Sequence, residues 1–349
     1  MTNNIIQKFT GHNIHCYGSE ELLKFEKQMT RYFEREYERW HGNSITPESY
    51  NTSALKGDIV NKEADTRSID HYNKDLKIYQ AFLDKKYMAY SMAYYGSSAT
   101  TEIINSRISL EQAQREKYKL IVRRADIQDG QNILDIGCGF GGFIKYLFEV
   151  FPNITVSGLN PSTTQTEYIR NVLNFDNSRF NLIQQRFDEN SQYSIPCDSY
   201  DRVISIGAFE HFSNFDFLFK YQNNILKQGG KCFHHLIVSV DTIPNFLNAE
   251  NTLMADYFPG GHIWPYSELK RYNTHLQLKD SWFVNGMNYW KTLDEWHKRF
   301  WQSIDQLFPD YLSIEDVESW NRFFVLCKAM FRPNQGRSYG VGHYLYEKI

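Results

Sequence analysis

The sequence has few cysteines, and their arrangement excludes a disulfide framework or a zinc site. Its five cysteines are scattered singly along 349 residues, without CxxC or Cys/His spacing. An odd number of cysteines without such a framework is typical of a protein from a reducing compartment. We therefore expect a cytoplasmic protein with no bound metal ion.

The sequence also lacks long apolar runs and a strong net charge. No stretch approaches the ~20 apolar residues that cross a bilayer, and the beginning, MTNNIIQKFTGHN, contains no apolar core of a signal peptide. The net charge of −3 gives no electrostatic reason to expect nucleic acid or an anionic membrane as a partner. These absences leave an ordinary globular chain, long enough for one large domain or two modest ones.

What the chain has in abundance is aromatic residues: 25 Phe, 24 Tyr and 7 Trp. Ordinary core packing explains most of them. Near the motifs described below, the alternative is an aromatic-lined pocket for a cation or a lipid chain.

The stretch NILDIGCGFGG, residues 132–142, is the most informative feature of the chain. A short apolar run is interrupted by Asp135 and is followed by closely spaced glycines, after which FIKYLFEVF has apolar residues at helical spacing. Strand, glycine-rich turn and helix build the nucleotide-type pocket of an open α/β sheet, where glycine lets a ligand lie against bare backbone. A buried strand with a tight turn and no ligand would not require so many glycines.

The end of the second strand distinguishes between two kinds of cofactor. Dinucleotide-binding folds also have glycines after a strand, but there an acidic residue on the next strand binds the ribose. Here the second strand ends SGLNPS, and the glycines follow the acidic residue in the pattern D-x-G-x-G. This combination resembles the class I S-adenosylmethionine-dependent methyltransferases.

Strand-like and helix-like segments alternate from residue 130 to about 240. The strand candidates are NILDIG, TVSGLN, FNLIQQRF, YDRVISIG and GKCFHHLIVS, with VGHYLYEKI as a final strand. Such alternation predicts a mostly parallel sheet with right-handed crossovers. We therefore expect an α/β fold with a Rossmann-like, seven-stranded methyltransferase sheet in a domain of residues 109–349.

Residues 1–108 are expected to form an N-terminal helical cover that contacts cofactor and substrate near its end. Residues 19–41 predict a charged amphipathic helix capped by Ser19. Residues 42–70 are polar and predict loop, and the tyrosine-rich residues 71–96 predict helix followed by irregular chain.

The larger domain begins with a predicted helix over residues 109–127, capped by Ser109. Residues 241–312 are rich in Trp and Tyr and interrupt the alternation, so we expect helices and loops that cap the substrate side. Residues 313–332 predict a further helix before the last strand.

The turn and the ends of the next two strands are expected to bind the cofactor. The glycines should lie against its methionine part, and the acidic residue should organise the loop through backbone hydrogen bonds. Side chains after the second and third strands can reach the ribose hydroxyls and the adenine, although a surface position for Gln165 and a core position for Phe187 are open alternatives. The candidates are Asp135, Gly137, Gly139, Gly141, Asn160, Gln165 and Phe187 or Asp188.

The fourth strand, DRVISIG, continues into AFEHF and places Glu210 and His211 at the open end of the sheet, where substrates bind in such folds. A carboxylate beside an imidazole can accept or relay a proton, and it can stabilise a developing positive charge. The plainer alternative is a helix start with a solvated glutamate.

Longer motifs resemble one superfamily in order along residues 69–349. SIGAFEHF is similar to the matching stretch of the cyclopropane-fatty-acid and mycolic-acid cyclopropane synthases, as are HYN, YS, LEQAQ, HHLI, FPGG and NYWKTLDEW. WFVNGMNYWKTLDEWHKRF, NQGRSYGVGHYLYEK and the paired histidines of HHLI are more similar to the coclaurine-type N-methyltransferases of the same superfamily. In this family Tyr90 and Ser91 match positions that contact the cofactor.

The resemblance to cyclopropane synthases implies a site for bicarbonate, which acts there as the base. Glu210, His235 and Tyr289 match three residues that hold this anion, and Met92 stands where the family has a cysteine. A thioether has no hydrogen to donate, so the anion site is damaged. The amine branch usually has a second glutamate three residues before the Glu-His pair, where this chain has Gly207.

We expect a methyltransferase that uses S-adenosyl-L-methionine as co-substrate and N-methylates a small-molecule amine, with Glu210 and His211 handling the proton. The alternative is C-methylation or cyclopropanation of an unsaturated lipid, with bicarbonate and peripheral membrane contact. A third possibility is an inactive cofactor-binding scaffold, against which the intact DIGCGFGG and EHF argue.

Overall fold

The computed structural model describes residues 14–42, 69–188, 190–191, 194–242, 245–246 and 261–349. Residues 43–68, which make up most of the predicted loop of residues 42–70, and most of the FPGG motif lie outside these residues.

The strands are β1 Asn132–Ile136, β2 Thr155–Leu159, β3 Phe180–Ile183, β4 Tyr200–Ile206, β5 Leu226–Ser239, β6 Asn245–Phe246, β7 His262–Pro265, β8 Gln277–Asn285 and β9 Tyr339–Glu347.

The sheet is built on five parallel strands in the order β3-β2-β1-β4-β5, extended by two antiparallel strands, β9 beside β5 and β8 beside β9. This arrangement confirms the predicted Rossmann-like methyltransferase sheet of seven strands. Two short strands, β6 and β7, join at the end of β5.

Strand β8 corrects one expectation. Residues 241–312 were predicted to be helices and loops, yet β8 lies within them and pairs with β9 from Gln277 to Asn285. The segment therefore supplies a strand of the central sheet.

Some helices pack on the two faces of the sheet, and others form a separate layer over the carboxyl ends of its parallel strands. They are α1 Glu20–Trp40, α2 Leu76–Phe82, α3 Thr100–Asn105, α4 Leu110–Arg124, α5 Gly142–Val150, α6 Thr163–Tyr168, α7 Phe215–Ile225, α8 Met287–Gln302, α9 Ile304–Leu307, α10 Ile314–Met330 and the short turn α11 Pro333–Gly336. None of the described helices is both long and apolar enough to cross a bilayer.

Local capping explains where two predicted helices begin. The Ser19 hydroxyl accepts a hydrogen bond from the backbone N–H of Leu22 at the start of α1. At the start of α4, Ser109 and Gln112 form a reciprocal capping box, with bonds of 3.2 and 3.0 Å. Side-chain acceptors at these positions satisfy N–H groups that have no partner inside the helix.

Three apolar clusters hold the layers together. One joins α4 and α5 to one face of the sheet, through Ile121, Ile144 and Ile204 among others. The second joins α7 to the opposite face. The third is a helical layer of α2, α8 and α10, centred on Phe82, Trp296 and Trp320, and it roofs the carboxyl ends of the strands.

Candidate active site

A cavity lies at the carboxyl ends of β1, β2 and β4 and is hereafter called the cofactor cavity. Its lining brings together nearly all of the residues that the sequence proposed for the cofactor. They are Tyr90, Ser91, Asp135, Gly137, Gly139, Asn160, Gln165 and Phe187.

The glycines of the turn have different surroundings. Gly137 has φ +76°, and a Cβ atom there would lie 2.6 Å from Cβ of Ala208. Gly139 has φ +56°, and a Cβ atom there would meet no protein atom within 4 Å, so this side of the turn is open to a ligand. Gly141 lies behind the turn as the N-cap of α5, where a Cβ atom would touch Leu173 and Ile169. The structure thus brings Gly137 and Gly139, but not Gly141, to the cavity wall.

Asp135 faces this cavity without being used by the turn. The residue is 2% exposed, and its Oδ1 atom has no hydrogen-bond partner among the described residues. Burial raises the pKa of Asp135 to about 7, although the positive charge of Lys117 opposes this shift. We expected Asp135 to organise the turn through backbone hydrogen bonds, but its Oδ1 makes none with the described residues. This oxygen is therefore available as a hydrogen-bond acceptor for a ligand.

Asn160 and Gln165 form the wall after β2. The Asn160 amide donates to the backbone oxygen of Gly139 at 3.1 Å and to Oε1 of Gln165 at 2.8 Å. Both residues are buried, at 4% exposure each, so the surface alternative for Gln165 is wrong. These bonds tie the end of β2 to the glycine turn across the cavity.

Phe187 follows β3 and lines the cavity while it also packs into the core. Its ring lies 5.9 Å from that of Phe212 and 5.2 Å from that of Tyr221. Asp188 instead accepts a hydrogen bond from the backbone N–H of Asn190 and serves the local turn. Of the two alternatives after β3, the structure therefore brings Phe187 to the cavity.

A second cavity adjoins the first and is hereafter called the inner chamber. Tyr72, Tyr90 and Gly207 line both cavities and mark the boundary between them. Most of the other walls are aromatic and aliphatic side chains on or next to β5, β7, α8 and α10, and His71 and Glu210 complete the lining. The residues from these strands and helices are Ile237, Ile263, Tyr289, Leu293, Trp296, Phe323, Cys327, Met330 and, directly after α10, Phe331.

Glu210 is the carboxylate on this lining. Its Oε1 accepts a hydrogen bond of 2.8 Å from the backbone N–H of Ile237, whereas its Oε2 is buried without a partner among the described residues. Burial raises the pKa of Glu210 to about 7. His262, from β7, braces the same turn because its Nδ1 lies 3.0 Å from the backbone oxygen of Glu210. The alternative of a solvated glutamate is therefore wrong, since Glu210 is 2% exposed.

His211 faces the cofactor cavity, and its Nε2 lies 3.1 Å from the hydroxyl of Tyr72. The segment that carries Tyr72 is fixed over the cavity by the start of α6. The hydroxyl of Ser162 donates to the backbone oxygen of Tyr72 at 2.9 Å, and that of Thr164 donates to the backbone oxygen of Asn73 at 3.1 Å.

The structure brings the residues matched to the bicarbonate site together only in part. Tyr289 lines the inner chamber with Glu210, and its ring stacks on Phe331 at 4.5 Å. Tyr289 also packs against a small apolar cluster of Met92, Val284 and Val341, in which Met92 is 1% exposed. His235 does not line the chamber, and its Nδ1 lies 2.9 Å from Nε2 of His343. The predicted grouping of Glu210, His235 and Tyr289 is therefore only partly assembled.

Sequence reasoning did not identify the walls contributed by α10. Phe323, Cys327, Met330 and Phe331 lie more than 100 residues from Glu210, and their spacing is that of an ordinary buried helix face. The tyrosine-rich segment of residues 71–96 did carry a signal, because Tyr72 and Tyr90 lie in it.

Comparison with known proteins agrees with this architecture. The family model described as mycolic acid cyclopropane synthetase matches residues 60–339. The (S)-tetrahydroprotoberberine N-methyltransferase of Eschscholzia californica is 25% identical over 342 residues, which cover 94% of each chain. The cyclopropane-fatty-acyl-phospholipid synthase of Escherichia coli K12 is 27% identical over 269 residues, 75% of this chain and 63% of that one.

A solved structure has the same fold. The crystal structure of coclaurine N-methyltransferase bound to N-methylheliamine and SAH superposes with a TM-score of 0.81 at 20% identity, covering 94% of this chain and 95% of that chain.

Proposed function

We propose that this chain, which belongs to the mycolic acid cyclopropane synthetase family and matches its model over residues 60–339, methylates the nitrogen of a small amine. The chain is an S-adenosylmethionine-dependent methyltransferase, as predicted. The lining of the inner chamber is the basis on which we propose the kind of acceptor.

The observation that carries the proposal is the unpartnered Oε2 atom of Glu210 in an aromatic chamber. A buried carboxylate oxygen without a hydrogen bond is costly, by roughly 1–3 kcal/mol or more. A bound amine removes that cost, since its N–H group can donate to this oxygen. An alkene has no hydrogen to donate and would leave Glu210 unsatisfied.

The aromatic walls support the same acceptor. Tyr72, Tyr90, Tyr289 and Trp296 surround the space into which the amine would fit. Aromatic faces attract a cation, and an amine nitrogen becomes positively charged as it takes up a methyl group. The chamber thus favours the charge that develops on the acceptor.

When bound, S-adenosylmethionine would supply a methyl group on a positively charged sulfonium, and transfer of that methyl to the lone pair of the amine would leave S-adenosylhomocysteine. The chain's own part is to align the acceptor, exclude water and remove a proton. Glu210 is suited to the last task, because burial raises the pKa of its carboxyl to about 7, close to the pH at which a base must both accept and release a proton. His211 and Tyr72 stand at the boundary of the two cavities, where a proton can be relayed.

We also propose roles for the residues around the cofactor. Gly137 and Gly139 offer bare backbone to the methionine part, Asn160 and Gln165 offer amides to the ribose, and Phe187 packs against the adenine. Asp135, Tyr90 and Ser91 complete the wall. Their shared position on one cavity supports this assignment.

The lipid alternative requires a working anion site, and two observations weaken it. Met92 offers no donor hydrogen, and Nδ1 of His235 is occupied by His343. The relatives include cyclopropane synthases, so the alternative belongs in the test.

The test is methyl transfer from labelled S-adenosylmethionine to a panel of primary and secondary amines and to vesicles of unsaturated phospholipid, each with and without bicarbonate. We expect label in amine products, with no response to bicarbonate. Label in lipid alone, stimulated by bicarbonate, would contradict the proposal.

We propose further that residues 1–108 act as a cover over a methyltransferase domain of residues 109–349. The position of Tyr72 and Tyr90 on both cavities supports this division. A reducing, cytoplasmic setting is also proposed, and it is supported by the five cysteines, all of which are free thiols.

A further inference from the structure

Lys117 occupies an unusual position for a lysine. It lies on α4 behind the cofactor cavity and is completely buried, with an exposed fraction of 0%. Its ammonium group donates a hydrogen bond of 2.7 Å to the hydroxyl of Ser91, which lines the cavity. Lysine is almost never fully buried unless it is paired, so this position needs a reason.

The segment that ends at Ser91 is held in place by α4 and by its own turn. Gln114, one helical turn before Lys117, donates to the backbone oxygen of Ser91 at 3.0 Å. Asp84 accepts from the backbone N–H groups of Tyr87 at 2.6 Å and Ala89 at 2.8 Å. The chain between Asp84 and Ser91 is therefore fixed by buried polar groups.

Residue 88 in this segment has a conformation that requires such support. Met88 has φ +52°, in the left-handed region that side chains other than glycine rarely adopt. It lines the cofactor cavity. Backbone of this kind persists only where the surrounding structure holds it.

Lys117 also balances buried negative charge. Asp84 and Asp135 both interact electrostatically with its ammonium group, and burial raises the pKa of each carboxyl while Lys117 opposes the rise. Burial in turn lowers the pKa of Lys117, and the two carboxylates oppose that shift. His235 and His343 also face Lys117, and its charge helps to lower the pKa of both. The ammonium group is thus the cation of a buried polar cluster behind the cavity.

Two members of this cluster, Ser91 and Asp135, face the cofactor cavity. The contact that links Lys117 to the cavity wall is its hydrogen bond of 2.7 Å to the Ser91 hydroxyl. We propose that Lys117 is a positioning residue for S-adenosylmethionine, which holds Ser91 in place from behind the cavity. Lys117 itself does not line the cavity or the inner chamber. Replacing Lys117 is therefore expected to change the affinity for the cofactor and not for the acceptor. The proposal is thus independent of which acceptor the enzyme uses.

The test is calorimetric titration of S-adenosylhomocysteine into wild type, Lys117→Met, Ser91→Ala and the double variant. Methionine has a similar length and removes only the charged, donating end. We expect Lys117→Met to weaken binding by about tenfold or more, the size of a lost hydrogen bond to a charged group. Ser91→Ala should weaken binding as well, and the double variant should lose little more than the worse single variant, because the two residues act as one unit.

The matched control is Lys119→Met on the same helix. The side chain of Lys119 is 64% exposed and is paired only with Glu116 at 3.7 Å, so we expect wild-type affinity. Circular dichroism of each variant without ligand monitors the fold.

A folded Lys117→Met protein with wild-type affinity would overturn the proposal. If Lys117→Met does not fold, Lys117→Leu takes its place in the comparison, and wild-type affinity in that folded variant would equally overturn the proposal. Wild-type affinity in Ser91→Ala would also overturn it, because Lys117 is proposed to act through Ser91. Fully additive losses would also count against it, since they would mean that Lys117 acts by a route other than Ser91.

Discussion

Glu210 and His211 are neighbours in one 3-10 turn, Phe209–His211, yet their side chains face different cavities. Glu210 lines the inner chamber and His211 lines the cofactor cavity. In the proposed mechanism, the turn stands at the boundary that the methyl group crosses, with one candidate proton acceptor on each side. This arrangement makes the two residues separable by experiment.

Replacing Glu210 by glutamine keeps the shape of the side chain and removes its ability to take a proton. We expect turnover to fall about 100-fold or more, the usual cost of losing a proton-transfer group. Affinity for S-adenosylhomocysteine should stay near that of wild type, because Glu210 faces the other cavity. The measurement pairs steady-state kinetics with calorimetry. Glu20→Gln, at a side chain that is 76% exposed, serves as the control, and full activity of Glu210→Gln would reduce Glu210 to a structural role.

The buried carboxyl of Glu210 should also make stability depend on pH. Its pKa is raised from 4.5 to about 7 in the folded protein, so the fold favours the protonated form. The contribution is fully present below pH 4.5 and is lost as the pH rises through about 7, with a slope of roughly 1.4 kcal/mol per pH unit between these values.

Urea unfolding of wild type and Glu210→Gln between pH 5 and 8 measures this term. Glutamine does not ionise, so the difference in unfolding free energy between the two proteins should move in favour of the variant as the pH rises. A difference that is constant across this range would show that Glu210 titrates normally.

A side chain at Gly139 should block the cofactor. A valine there would project into the open side of the turn, where no protein atom lies within 4 Å, and we expect binding of S-adenosylhomocysteine to be abolished. Backbone strain is controlled by Gly130→Val, since Gly130 also has a positive φ, of +80°, and open space around it, but lies away from the cavity. Unchanged affinity in Gly139→Val, or equal losses in both variants, would show that the ligand binds elsewhere.

Replacing Met92 by cysteine distinguishes the two chemistries. If the protein modifies lipid alkenes with a weakened anion site, a thiol at position 92 should raise turnover and make it respond to bicarbonate. We expect neither effect. Activity on amines should instead rise with pH until the acceptor is deprotonated, because only a free lone pair can attack the methyl group. Assays of both proteins across pH, with and without bicarbonate, give the answer.

Features that depend on near neighbours in the chain could be predicted from the sequence alone. The glycine turn at residues 137–142, the caps at Ser19 and Ser109 and the alternation of strands and helices are local patterns. Each is set by backbone freedom, by a hydrogen bond a few residues away or by the period of apolar side chains. These patterns were sufficient to predict the parallel strands of the sheet and the part of the cofactor cavity at the ends of β1, β2 and β3.

Features that depend on distant partners are visible only in the folded protein. Strand β8 exists because it pairs with β9, some 60 residues later, and His235 is occupied because His343 lies across from it on that same strand. Nothing in the local sequence distinguishes Lys117 from an ordinary solvated residue on a helix of mixed polarity. It is buried only because α4 packs behind the cofactor cavity. Burial and partner choice arise when segments far apart in sequence meet, and no local period or cap encodes which of them will do so.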